Sequence, residues 1–207
     1  MDEARIPTPH GDAGVTLDLP AGEPLALLAL GHGAGGDVDS ADLVAVAAAA
    51  VREGVAVARV TQPYRVAGRR SPPRAQVLDE AWVAVVRRLG EQVPGLPLLV
   101  GGRSSGARVA CRTADELGAV GVIALAFPTR PPRTPDRDRL DELAMPAAPV
   151  LVVQGASDSF GIPPAAPGRT VHLLPGATHA IRGPAAQAAG EAVAGWLAGI
   201  AATRSRG

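Results

Sequence analysis

The residues best suited to covalent chemistry lie in Gly102-Arg-Ser-Ser-Gly106, which has the pattern G-x-S-x-G. The pattern stands at a turn within residues 97–117, where a short apolar strand gives way to a helix, as a nucleophile elbow requires. A serine in strained backbone at such a turn brings the residues two positions away on either side together, and glycine removes the Cβ atoms that would clash. Ser104 is therefore the predicted nucleophile. The alternative is an ordinary glycine-rich turn that carries a surface serine.

A serine hydroxyl needs a base to accept its proton, and the base needs an acid that fixes its tautomer and stabilises the imidazolium. His179 is the one histidine that follows the last predicted strand, and Asp158 follows the strand before it. Both can then reach the end of the sheet that holds Ser104, although each can also be a plain loop residue. The remaining histidines are His10 in a hairpin, His32 in a glycine-rich loop and His172 within a strand. Asp136, Asp138 and Asp141 are alternative candidates for the acid.

A second glycine-rich loop, Gly31-His-Gly-Ala-Gly-Gly-Asp37, follows directly after an apolar strand. Its spacing fits neither G-x-G-x-x-G nor a phosphate-binding Walker loop, whereas an oxyanion loop of the histidine-glycine type fits. The predicted oxyanion donors are the backbone N–H of Ala34 and that of Ser105, which begins the helix after the nucleophile. His32 is expected to hold the loop.

The elements that must position these residues follow from hydrophobic patterning. Apolar runs without alternation are typical of strands buried on both faces of a parallel sheet, and they occupy residues 25–30, 55–60, 97–101, 119–127 and 149–154, with a last strand at 169–174. A hairpin is predicted over 4–19 with its turn at 9–14, and helices over 40–52, 71–89, 140–144 and from Pro184, besides the helix after Gly106. This alternation predicts an α/β fold, with helices on both faces of a mostly parallel sheet, as a single domain over residues 1–207. Only a loop and a turn of helix are available for a lid, so no sizeable cap domain is expected.

With these motifs the chain resembles a small α/β-hydrolase of the dienelactone-hydrolase-like kind, in a compact lidless subgroup that includes a testis-expressed vertebrate protein and part of a chromatin-complex subunit. The resemblance implies the nucleophile Ser104, the acid Asp158, the base His179 and oxyanion amides at Ala34 and Ser105. Dienelactone hydrolases proper use cysteine as nucleophile, so their specific substrate is not implied. The shared segments are His-Gly-Ala-Gly-Gly-Asp at 32–37, Gly-Gly-Arg-Ser-Ser-Gly-Ala-Arg-Val-Ala at 101–110, Phe127-Pro128, Gln-Gly-Ala-Ser-Asp at 154–158 and Thr178-His179.

The composition excludes several classes of function. Twenty basic residues, all of them arginine, balance twenty acidic ones, so no general nucleic-acid surface is indicated. Cys111 is the only cysteine, which excludes an internal disulfide and a cysteine-rich zinc site. No apolar run approaches the length of a membrane span, and the charged N-terminus leads into no apolar signal segment. We therefore expect a cytoplasmic enzyme without a membrane or nucleic-acid partner, while the oligomeric state is left open.

The predicted activity is that of a serine hydrolase cleaving an ester or related acyl bond of a small-molecule substrate through an acyl-enzyme, with no cofactor and no metal. Two alternatives are an acyltransferase and a non-catalytic binding or scaffold protein on the same fold. His32, Phe127 and Phe160 are candidate substrate contacts, and Phe160 with the Phe127-Pro128 corner is expected to line a modest acyl pocket. Arginine-bearing loops at 65–74 and 130–139 suggest an anionic substrate, although a solvated loop is the alternative.

Overall fold

The structure is a computed structural model that describes residues 4–130 and 138–204, except for the side chains of 201–204. Within these ranges the chain forms eight strands and six helices. The strands are β1 (Ala4–Thr8), β2 (Gly11–Asp18), β3 (Ala26–Gly31), β4 (Val55–Thr61), β5 (Leu98–Arg103), β6 (Gly121–Leu125), β7 (Val150–Gly155) and β8 (Arg169–Leu174). The helices are α1 (Ala41–Arg52), α2 (Pro63–Val66), α3 (Ala75–Gln92), α4 (Ser105–Thr113), α5 (Leu140–Leu143) and α6 (Pro184–Arg204).

All eight strands form one sheet in the order β1-β2-β4-β3-β5-β6-β7-β8. The six strands from β3 to β8 run parallel to their neighbours, while β2 pairs antiparallel with both β1 and β4. The carboxyl ends of the parallel strands therefore gather at one edge of the sheet, where ligands bind in open α/β sheets. The register sets Gly31 at the end of β3 opposite Gly102 near the end of β5.

Helices cover both faces of the sheet, so the core has two apolar layers. On one face the central strands pack against α3 and α4, with Trp82 almost fully buried. On the other face they pack against α1 and α6, which also contact each other. The predicted architecture, a mostly parallel sheet with helices on both faces and no sizeable cap domain, is confirmed for the described residues.

Three local predictions differ from the structure. β2 already begins at Gly11, so the hairpin turn is shorter than the predicted 9–14. The loop predicted at 65–74 overlaps the short helix α2, which begins with Pro63 at a position where its missing N–H has no cost. α3 begins at Ala75 instead of near Ser71, because Pro72 and Pro73 disfavour helical backbone at the residues before them.

The single cysteine lies on the face of α4 that packs against the sheet. Cys111 is 1% exposed, and burial raises the pKa of its thiol to about 12. The thiol therefore stays protonated and packs as a small apolar group. Among the described helices, none combines the length and the hydropathy that a membrane crossing needs.

The turn between β5 and α4 is possible because two glycines let three backbone segments approach closely. A Cβ added to Gly102 would lie 2.5 Å from the Gly31 carbonyl oxygen and 2.8 Å from the carbonyl carbon of Gly106. A Cβ on Gly106 would overlap the same Gly31 oxygen and lie 2.8 Å from the carbonyl oxygen of His32. The predicted crowding between the two glycines is therefore present, and the end of β3 adds to it.

Gly106→Ala is expected to lower the free energy of unfolding by at least about 2 kcal/mol, because main-chain atoms cannot move aside for the new methyl group. Gly90→Ala in α3 is the matched control, since no atom lies within 4 Å of the added Cβ. In this helix the same change is expected to raise the free energy of unfolding by about 0.5–1 kcal/mol. Urea unfolding followed by circular dichroism measures both, and equal effects of the two changes would contradict the crowding argument.

Candidate active site

Ser104 stands at the tip of the turn in a backbone conformation that few non-glycine residues adopt. Its φ of 53° and ψ of −106° lie outside the helix and strand regions. The Ser104 N–H donates to the carbonyl of Leu125 at 2.9 Å, and the Ser104 carbonyl accepts the first α4 bond from Arg108 N–H at 3.2 Å. The neighbouring strand and the helix thus hold the strained residue from both sides, as is common at functional sites.

The structure brings Ser104, His179 and Asp158 together, although they are far apart in the chain. His179 Nε2 lies 3.0 Å from Ser104 Oγ, and His179 Nδ1 lies 2.9 Å from Asp158 Oδ2. An ionised carboxylate only accepts, so Nδ1–H is the donor to Asp158 and Nε2 is free to accept the serine proton. This arrangement can deprotonate the hydroxyl and stabilise the imidazolium that results.

Asp158 is buried and its carboxylate is fully supplied with donors. Besides His179, the Gln154 side-chain amide donates to Oδ2 at 2.8 Å, and the Phe160 N–H donates to Oδ1 at 2.9 Å. Three donors hold the carboxylate in one orientation and compensate for its removal from water. Of the alternative acids, Asp138 accepts the Leu140 N–H, Asp141 lies in α5 and Asp136 lies outside the described residues.

Gln154 at the end of β7 connects the acid to the neighbouring strand. Its side-chain oxygen accepts the Phe127 N–H at 2.8 Å, and its amide nitrogen lies 2.9 Å from the carbonyl oxygen of Gly161 as well as close to Asp158. Gln154 has no exposed surface. It therefore fixes the loop that follows β7 against the end of β6.

Phe160 lies against the base. Its ring centroid is 4.2 Å from that of His179, with the planes tilted by 40°. The two rings are therefore in direct contact, and this contact limits how far the imidazole can turn. Phe160 is partly exposed, which leaves one side of it available to a ligand.

The glycine-rich loop lies beside the nucleophile. A Cβ on Gly33 would lie 3.6 Å from Ser104 Cβ, so the loop backbone passes directly next to Ser104. Among the described residues, none accepts a hydrogen bond from the N–H of Ala34 or of Ser105. Both amides are therefore free to donate to a ligand at this edge of the sheet.

His32 holds this loop from the inside. Its Nδ1 lies 2.8 Å from the carbonyl oxygen of Gly33, and its Nε2 accepts the Gln62 N–H at 3.0 Å. The ring is therefore neutral with its proton on Nδ1, and burial lowers its pKa below the usual value. The hydroxyl of Tyr64 donates to the carbonyl oxygen of Ala34 at 2.7 Å and fixes the loop from a second direction.

Two of the predicted substrate contacts do not reach an open cleft. His32 is 3% exposed and uses both ring nitrogens in bonds to the backbone. Phe127 has no exposed surface and packs into the core between the sheet and α4. Phe127 follows the end of β6, at the edge of the sheet that carries the site, but its side chain points into the apolar layer of the core. Phe160 remains as the aromatic residue beside His179.

Most of the predicted arginine-bearing loop at 130–139 lies outside the described residues.

Residues that support the site were not singled out from the sequence. Gln154, Tyr64 and Arg103 each bond a residue 27 or more positions away. A signal was available for two of them, because Gln154 is a polar residue that ends an apolar strand and Arg103 is a charged residue inside the G-x-S-x-G pattern. The pairing partners, however, are set by the tertiary structure.

A family model for an alpha/beta hydrolase domain matches residues 24–181. The chain belongs to this family. The matched segment contains the glycine-rich loop, the serine turn and both loops that carry Asp158 and His179. A search of curated protein sequences found no significant match.

Solved structures with the same fold match almost the whole chain. An alpha-beta serine hydrolase homologue from Coxiella burnetii has 19% identity and a TM-score of 0.78, with 95% of this chain and 97% of that chain covered. A serine hydrolase without a lid from Xanthomonas campestris has 21% identity and a TM-score of 0.75, with 94% of each chain covered. Dienelactone hydrolase from Anabaena variabilis has 18% identity and a TM-score of 0.73, with 96% of each covered. At these identities the likeness shows a shared fold.

Gln154→Leu is expected to lower the free energy of unfolding by about 1–3 kcal/mol, because the buried Phe127 N–H and the Asp158 carboxylate each lose a partner. Gln76→Leu is the matched control: this exposed side chain in α3 bonds only Glu80 among the described residues, so a change within about 0.5 kcal/mol is expected. Urea unfolding of the two variants measures the difference. Similar small losses in both would show that the Gln154 bonds do not stabilise the fold.

The buried neutral His32 is expected to make stability fall at mildly acidic pH. Because burial lowers its pKa in the native state, the unfolded chain binds a proton below about pH 6.5 while the native state does not. The contribution of His32 is thus complete above that pH and is lost as the pH falls towards the native pKa. Between pH 7.5 and 5.5 the wild-type protein is expected to lose about 1 kcal/mol more than His32→Gln.

Urea unfolding at the two pH values tests this, with His172→Gln as the control because His172 is an exposed histidine in β8. The control variant is expected to keep the pH dependence of the wild-type protein. If His32→Gln kept it as well, the protonation of another group would have to be responsible.

Proposed function

We propose that the protein is a serine hydrolase that cleaves an ester or a related acyl bond of a small molecule through an acyl-enzyme on Ser104. The observation that carries the proposal is the continuous chain of contacts from Ser104 Oγ to His179 at 3.0 Å and from His179 to Asp158 at 2.9 Å. Family membership and the fold shared with serine hydrolases support it.

In the proposed reaction His179 Nε2 takes the proton of the Ser104 hydroxyl as its oxygen attacks the substrate carbonyl. The tetrahedral intermediate collapses when His179 returns that proton to the leaving alcohol, which produces the acyl-enzyme. His179 then deprotonates a water molecule that attacks the acyl carbonyl, and the acid leaves as the Ser104 hydroxyl is restored. Asp158 keeps the imidazole in the required tautomer throughout.

The developing oxyanion is bound by the backbone N–H groups of Ala34 and Ser105. Ser105 is the first residue of α4, where the helix dipole adds a positive potential. His32 and Tyr64 fix the glycine-rich loop before substrate arrives, and donors that are already oriented stabilise the transition state without reorganisation. Phe160 forms an apolar contact for the acyl or leaving group.

We also propose a cytoplasmic location for the protein. Within the family we place the chain in the compact lidless subgroup related to a testis-expressed vertebrate protein and a chromatin-complex subunit. The segments at 32–37, 101–110 and 154–158 support this assignment, because they supply the loop, the serine turn and the acid in one compact chain. The chain segment that joins the end of β6 to the start of α5 is short, which also fits a site without a large lid.

Ser104→Ala is expected to abolish labelling by a fluorophosphonate probe and to lower kcat on short p-nitrophenyl esters by at least about 10⁴-fold. The matched control Thr170→Ala, an exposed position near the amino end of β8 and so at the opposite edge of the sheet, is expected to label like the wild-type protein. A folded wild-type protein that neither labels nor hydrolyses these esters would support the scaffold alternative. Labelling without hydrolysis would favour transfer to an acceptor other than water.

A further inference from the structure

The arginine that precedes the nucleophile touches three segments that carry the site. Arg103 Nε lies 2.7 Å from Asp42 Oδ2 in the first turn of α1. Its Nη2 donates to the backbone carbonyl of His179 at 2.9 Å. Its Nη1 lies against the glycine-rich loop, 3.0 Å from the place where a Cβ on Gly33 would be. The side chain is 19% exposed, so this is not a solvated surface arginine.

One end of the Arg103 guanidinium is fixed by a buried carboxylate. The side chain of Asp42 is 1% exposed, and its Oδ1 accepts the Leu43 N–H at 3.0 Å. The contact of Oδ2 with Arg103 is an ion pair in which the N–H does not point directly at the oxygen. A carboxylate this buried requires a cation beside it, and the ion pair therefore holds the arginine in place.

The other end of the Arg103 guanidinium holds the main chain of His179, the base. The carbonyl that Arg103 bonds belongs to His179 itself, 76 positions along the chain. The Asp158 and Ser104 contacts orient the imidazole ring, whereas the Arg103 bond acts on the main chain from which that ring extends. Because Arg103 is covalently joined to Ser104, this bond ties the base directly to the nucleophile turn. The planar guanidinium serves Asp42 and His179 through two different nitrogens held in a fixed geometry, whereas a lysine has a single nitrogen on a flexible stem.

We propose that Arg103 is a positioning residue that clamps the His179 loop against the nucleophile turn, with Asp42 as its anchor. The proposal rests on the proposed function, since it assigns Arg103 a role in keeping the base within reach of Ser104. Without the clamp the ring of His179 leaves the 3.0 Å contact with Ser104 Oγ for much of the time. A misplacement of the order of 1 Å can lower a rate by about 10²-fold.

The test compares three variants of the full chain with the wild-type protein. Asp42→Asn removes the buried charge but keeps Arg103, whereas the double variant Arg103→Met/Asp42→Asn also removes the clamp and leaves no unpaired carboxylate. Arg112→Met is the matched control, because Arg112 lies in α4, has a side chain 13% exposed and pairs with Asp79 at 2.6 Å. Urea unfolding establishes that each variant is folded under the assay conditions.

On short p-nitrophenyl esters the double variant is expected to show kcat about 10- to 100-fold below that of the wild-type protein, with Asp42→Asn between the two because it loses the charge of the anchor but keeps the Arg103 bond to His179. KM is expected to change by less than about threefold, because the clamp does not contact the substrate. The Arg112→Met control is expected to keep the kcat of the wild-type protein. If the control lost as much as the double variant, a general loss of stability would explain the effect and the proposal would be overturned.

Proton NMR supplies a readout that does not depend on turnover. The His179 Nδ1–H held by Asp158 is expected to give a low-field resonance in the wild-type protein and in Arg112→Met, and this resonance is expected to broaden or disappear in the double variant. If the wild-type protein failed to label with fluorophosphonate but the resonance still depended on Arg103, the proposed function would fail and the clamp would stand. A folded double variant with the wild-type resonance and the wild-type kcat would overturn the clamp, as would a wild-type protein without the resonance.

Discussion

The site depends on the close approach of three backbone segments at the carboxyl edge of the sheet. Gly31, Gly102 and Gly106 meet where β3, the serine turn and α4 come together, and there is no room for a side chain at the two latter positions. This approach holds Ser104 at positive φ and sets the glycine-rich loop beside it. Since main-chain atoms do not deform easily, the geometry of the nucleophile follows from the fold itself, before any side chain of the site is considered.

Around this backbone the polar groups are arranged as connected pairs and networks. Asp158 has three donors, the neutral His32 uses both ring nitrogens, and the buried Asp42 faces the guanidinium of Arg103. Buried polar groups are costly unless they are paired, and once paired they favour one arrangement over all others. The layers of helices bury the apolar side chains, while these polar networks fix the positions of the loops that carry the site.

Much of the fold and the placement of the site follows from the sequence, for identifiable physical reasons. Strands such as β3 and β7 are buried on both faces and therefore appear as unbroken apolar runs, and parallel strands gather their carboxyl ends. Ser104, Asp158 and His179 could be expected at one edge on that basis. The directions of side chains were harder: Phe127 turned out to face the core, and Gln154 and Arg103 became recognisable only through partners that lie far away in the chain. Spacing predicts which edge a residue occupies, but not which atom it bonds there.

The protonated thiol inside α4 makes the protein well suited to spectroscopy. A buried sulfur that carries no negative charge does not react readily with maleimides, and the chain has neither a second cysteine nor a lysine. A cysteine introduced at the exposed Ala180, next to His179, would thus be the one accessible thiol. A fluorophore or spin label attached there would report on the motion of the base loop without any need to remove the native cysteine.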